Sequence, residues 1–151
     1  MDVLAVISAL ESHAAGSGQI ERVNAHEVVS QPGSGISAAI WPQRLTPATG
    51  KSGLASTSIR VEFTVRLMSS ALQQPQDGID PAMIDAAATL MTAYSGDFTL
   101  GGLVRDVDLL GHSGTPLSWN AGYLKLTDGG TSRVIDLTVP LILNDQFDQA
   151  P

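Results

Sequence analysis

The chain has 151 residues, no cysteine and a formal net charge of -7. That length fits one domain with a real core, while the missing cysteine excludes disulfides and thiolate metal sites. Eight scattered basic residues do not make a phosphate-gripping protein, since that work needs clustered Lys and Arg.

Taken in chain order, Val3, Val6, Ile7, Leu10 and Ala14 form one apolar stripe at helical spacing, with Asp2 as its cap and Gly16-Ser17-Gly18 as its end. No basic stretch precedes this apolar start, so it does not read as a signal peptide. No apolar run approaches ~20 residues, so no membrane span is expected. A first strand is predicted over Ile20 to Val29. A turn at Gln31 to Gly35 leads to a second strand over Ile36 to Leu45, where Pro42 requires an edge or a bulge. Thr46 to Ser58 reads as a long small-residue loop. The third strand is the clearest: Ile59, Val61, Phe63, Val65 and Leu67 alternate with Arg60, Glu62, Thr64 and Arg66.

After a Gln/Pro/Asp/Gly stretch, Asp80 and Pro81 mark a second helix. Ile84, Ala87, Ala88, Met91 and Tyr94 fall on one face of it, and Ser95-Gly96 stops it. In LVRDVDLL, period two puts Leu103, Val107 and Leu109 on one strand face and Asp106 and Asp108 on the wet face. Trp119 to Thr127 and Val134 to Leu143 read as a hairpin around Asp128-Gly129-Gly130. The apolar face of its second strand is Ile135, Leu137, Val139, Leu141 and Leu143. The order is α-β-β-β-α-β-β-β. It predicts an α+β fold, a mostly antiparallel sheet with two helices packed on it. Residues 1–143 make one domain and 144–151 a polar tail.

Catalytic motifs are started and left incomplete. Gly50-Lys51-Ser52 resembles the end of a phosphate loop, but Leu45 stands where a glycine is needed and a strand follows instead of a helix. His26-Glu27 lacks the second histidine of a zinc-protease helix, because Ser30 occupies that place. Gly111-His112-Ser113-Gly114 lacks the second glycine of a nucleophile elbow, since Thr115 follows. A small hydrolase built on His112 and Ser113 therefore ranks last, and no enzyme, cofactor or metal is expected. Trp41 lies out of phase with Ile36, Ala38 and Ile40, which makes it an interface candidate; Gly50, Lys51 and Ser52 are further candidates. Trp119 is expected at the core or its edge.

The wording of several segments resembles a known family. YSGDFTLGG followed by VRDVDLLG, with ERVNAHEVV, SGLAST, LQQPQDGIDP and PLILND, resembles the tail terminator proteins of long-tailed (siphovirus-type) phages of actinobacteria. The pieces spread over most of the chain, and none of them is a chemical motif. The resemblance implies a homo-oligomeric ring, normally a hexamer, made in the host cytoplasm and built into the virion. It would cap the head-proximal end of the tail tube, touching the tail tube protein and the head-tail connector protein. DNA would pass through its lumen without specific binding, with Asp106 and Asp108 as candidates for charge lining. A head-to-tail connector or stopper, or a tail tube subunit, is the alternative. Charged residues make up only 15%, against about 25% in a typical soluble domain. That low density fits a surface covered by partner subunits, and equally a bias toward small residues.

Overall fold

The structure, a computed structural model, describes residues 2–25, 35–48, 56–70, 78–125 and 130–148. Helix α1 (Val3–Gly16) begins where the Asp2 carboxylate accepts the Ala5 N–H at 3.0 Å. This satisfies one of the free donors of the first turn. The expected stripe is the buried one: Val6, Ile7, Leu10 and Ala14 face inward. The first strand, β1 (Arg22–Asn24), is shorter than expected and runs parallel to β2 (Ser37–Pro47). From His26 onward the predicted first strand lies outside the described residues.

Strand β2 pairs antiparallel with β3 (Ser56–Ser70), and the register shifts between Pro42 and Arg44. The proline, which has no N–H to donate, thus sits at the bulge that the sequence required. The predicted loop over Thr46 to Ser58 is too long. Thr46 and Pro47 already pair with Arg60 and Ile59, and β3 is underway by Ser56. Strand β6 (Thr131–Asp148) pairs with β3 along most of its length, from Ser132 to Asp148. Residues 144–148 of the expected tail are therefore strand. The other side of β6 is shared by β5 (Ser118–Lys125) and the two-residue β4 (Asp106–Val107). The architecture is α+β, in the order α-β-β-β-α-β-β-β, with one sheet that is antiparallel except for β1.

The core forms where the helices cover one sheet face. Val61, Phe63, Val65 and Leu67 of β3, with Leu137, Val139, Leu141 and Leu143 of β6, pack against α1 and α2. Helix α2 (Ile79–Gly96) differs from expectation in its face and in its cap. Of the expected face Ala87 and Tyr94 are buried, joined by Met83, Ala86 and Leu90, while Ile84 is 46% exposed and Ala88 also faces out. Its N-cap is Gly78, which gives no side-chain bond, so Asp80 is not the cap. Asp80 lies within the first turn, where a negative charge is favoured by the helix dipole. Its carboxylate accepts a bond from Arg133 Nε at 2.9 Å, tying the start of α2 to β6. At the other end, buried Tyr94 donates its hydroxyl to the Leu10 carbonyl at 3.2 Å, and burial pushes its phenol pKa up. His13 of α1 meets Asp97, just past α2, at 2.9 Å. The two helices are thus joined to each other as well as to the sheet.

Candidate interaction surfaces

Cross-strand pairs share a face. The register therefore places Trp41, Thr64, Arg66, Asp136, Thr138 and Asn120 together on the sheet face opposite the helices. Trp41 holds the out-of-phase position expected of it. Its ring lies 5.1 Å from the Arg66 guanidinium carbon, and its indole N–H donates to Gln43 Oε1 at 3.0 Å. Arg66 in turn makes a two-pronged contact with Asp136, at 2.8 and 3.0 Å. Such a fork matches carboxylate geometry and neutralises the cation. The centre of this face is therefore polar, and its arginine carries its own counter-charge.

Asp106 and Asp108 do not form a wet pair. After Val107 the chain leaves the strand and turns, and Asp108 is buried at 6% exposure. Arg60 of β3, 2% exposed, reaches it through Nε at 3.1 Å. The same guanidinium also contacts Glu62 and the Thr115 carbonyl. Asp108 further accepts the N–H groups of His112 and Ser113 at 3.0 and 3.1 Å. Thus the segment that resembled a nucleophile elbow is a loop folded around a structural carboxylate. A Cβ at Gly114 would fall on the Arg60 guanidinium, and one at Gly111 would meet the Gly114 carbonyl, so both positions need glycine. Only Asp106 keeps a partly open carboxylate, 3.8 Å from Arg105 Nε.

Burial raises the Asp108 carboxyl, but the Ser113 N–H, the Arg60 guanidinium and the His112 N–H outweigh it and hold the group below its ordinary value. A carboxyl depressed in the folded state contributes stability above its unfolded pKa of about 3.9, lost as pH falls through the folded value. The melting temperature should therefore fall on acidification below about pH 4. Asp108→Asn should lower stability at neutral pH and flatten that acid decline. An unchanged acid slope in the variant would remove Asp108 from the account. Asp97 is also lowered, first by its bond to His13. It is more than a third exposed, so solvent screens its contribution.

The third surface is β5. Trp119 is not core: it is 37% exposed, and Tyr123 is 68% exposed. By register both lie on the helix-covered side, opposite Leu137 and Arg133, but on the outermost strand. Arg133 stacks over the Tyr123 ring at 4.6 Å and donates to the Gly122 carbonyl at 3.0 Å. Gly50, Lys51 and Ser52 lie outside the described residues, as does His26. Among the described residues no group of three or more His, Asp or Glu side chains could hold a metal. Among the described residues no helix is long and apolar enough to cross a membrane. Sequence reasoning missed Arg60 and Tyr123. The signal for Arg60 was its place on a strand face otherwise read as wet, beside a glycine-punctuated loop with an aspartate at its head.

No protein-family model and no curated protein matches this chain. Among solved structures, a match is found to a chain of the virion of a native gene transfer agent particle. Identity is 10%, the alignment covers 90% of this chain and 92% of that one, and the TM-score is 0.44. A superposition this loose carries no argument about role.

Proposed function

We propose that this chain is a structural subunit of a phage virion and, within that class, a tail terminator. It would form a ring, hexameric by resemblance, that caps the head-proximal end of the tail tube and joins it to the connector. The resemblance in wording from Asp80 to Gly111 supports this reading. The observation that carries it is the open sheet face, where the Arg66 cation is held by Asp136 among Thr64, Thr138 and Asn120. A lumen must let DNA pass without gripping it, and gripping needs free cations aimed at phosphate. At the centre of the face the Arg66 cation is neutralised among hydroxyl and amide groups, which suits that passage; the exposed Arg44 stands toward the β2 margin, opposite Glu62. The overall charge of -7 acts in the same direction. On this reading the protein performs no chemistry; its activity is geometric.

Deletion of the coding sequence from its phage should give tails of uncontrolled length that fail to join heads, seen by electron microscopy of the lysate. Adding the purified protein to polymerising tube protein should end growth at one tip. Tails of normal, uniform length on filled heads would overturn the terminator role. Self-assembly of the purified chain into long filaments would point instead to a tube subunit.

A further inference from the structure

The sheet finishes its two sides in different ways. On the β2 side, the outer edge beyond β1 carries Pro42, a register shift, the exposed Arg44 and Pro47. Prolines, bulges and charges are the devices that keep a sheet edge from recruiting another strand. The β5 side has neither a proline nor a register shift: its eight residues pair continuously with β6. Its one charge, Lys125, sits at the very end. Among the described residues no strand lies against its outer edge.

The sequence of this edge is also self-complementary. Around Ala121, Asn120 answers Gly122 and Trp119 answers Tyr123. We infer that β5 pairs antiparallel with the β5 of a second copy of this chain, about a two-fold axis through Ala121. In that pairing Trp119 of each copy lies opposite Tyr123 of the other. Cross-strand aromatic pairs are among the stabilising contacts of antiparallel sheets. The small Asn120-Ala121-Gly122 centre lets the backbones meet, and Lys125 falls opposite Leu117, so no like charges oppose. Rotation about an axis normal to the sheet keeps the helices of both copies on one side of a continuous sheet. Tyr123 is already held in place by the Arg133 stack, and Arg133 is fixed by Asp80. The Gly122 carbonyl retains a second lone pair beside its bond from Arg133.

An isologous contact closes on itself and cannot propagate. The pair is therefore an off-ring state that occupies the β5 edge, and it stands whether or not the chain also closes a ring. The natural sequence has no cysteine, so one introduced thiol reports on one position. Antiparallel partners have Cα atoms about 4.5 or 5.5 Å apart, and both distances lie within the range that a disulfide spans.

Ala121→Cys should convert to a disulfide-linked dimer under mild oxidation, while Ala88→Cys on the exposed face of α2 should not. By light scattering at about 100 μM, a concentration that populates a micromolar complex, the natural chain should show twice the 15.7 kDa mass. Ala121→Asp sets two carboxylates across the axis and should weaken association at least tenfold, with little change in melting temperature. A natural chain that is monomeric at that concentration overturns the inference. So does an Ala121→Cys variant that cross-links no better than Ala88→Cys, or an Ala121→Asp variant of unchanged mass. The tail-length experiment is read separately, so either result can fail without the other.

Discussion

Arg60→Ala should destabilise the protein by about 3–5 kcal/mol, the usual cost of removing one partner of a buried ion pair. The guanidinium is 2% exposed and binds Asp108, Glu62 and the Thr115 carbonyl. Its loss leaves the Asp108 carboxylate buried with only the N–H groups of His112 and Ser113. The loop from Asp108 to Leu117 then loses its attachment to β3. Chemical denaturation measures the loss. A companion variant, Arg60→Met with Asp108→Leu, removes both charges of the buried pair and should recover part of the loss, with Glu62, 14% exposed, left as the remaining charge of the cluster. A double variant as unstable as Arg60→Ala would mean that shape, and not charge pairing, holds the loop.

Phe63→Ala should also cost about 3–5 kcal/mol, from lost burial together with the cavity left behind. Phe63 sits at the middle of β3, fully buried and flanked across the sheet by Pro42 and Val139. The β3–β6 ladder runs unbroken through Val139, which limits collapse from that side, while on the β2 side the register shifts just past Pro42. Phe63→Leu should cost less, because most of the volume stays. A melting temperature unchanged by Phe63→Ala would contradict the assignment of this face as core.

The β3 core face was legible because strict alternation over many residues has one reading. The face of α2 was legible only in part: Ala87 and Tyr94 are buried as expected, Ile84 and Ala88 are not. Its sequence holds two overlapping stripes, Ile84-Ala88-Met91 and Met83-Ala87-Leu90-Tyr94, and small alanines on both leave the period ambiguous. Packing chose the second stripe, led by Leu90 and Tyr94. Asp108 was misread for a different reason. Period two holds only while the chain stays in the sheet, and here it leaves after Val107. Its partner Arg60 is 48 residues away, so no local pattern carries the pair. Trp119 has the phase of a core residue, since it opposes Leu137. Phase does not say how far across the sheet the helices reach, and β5 lies at the margin. Trp41 was legible because a residue out of phase with a buried run must emerge on the other face.

Strand β3 is paired on both flanks, and its two partners differ in when they become available. The hairpin with β2 is local, but between Ser70 and Thr131 the ribosome must deliver α2, β4 and β5 before β6 exists. Until then one whole side of this central strand has no ladder, and closing it means joining distant parts of the chain. Such non-local closure is slow, and the waiting edge invites aggregation. Production of this protein is therefore governed by the yield of that late step: slower synthesis temperatures and chaperone supply should matter more to recovery than any surface substitution.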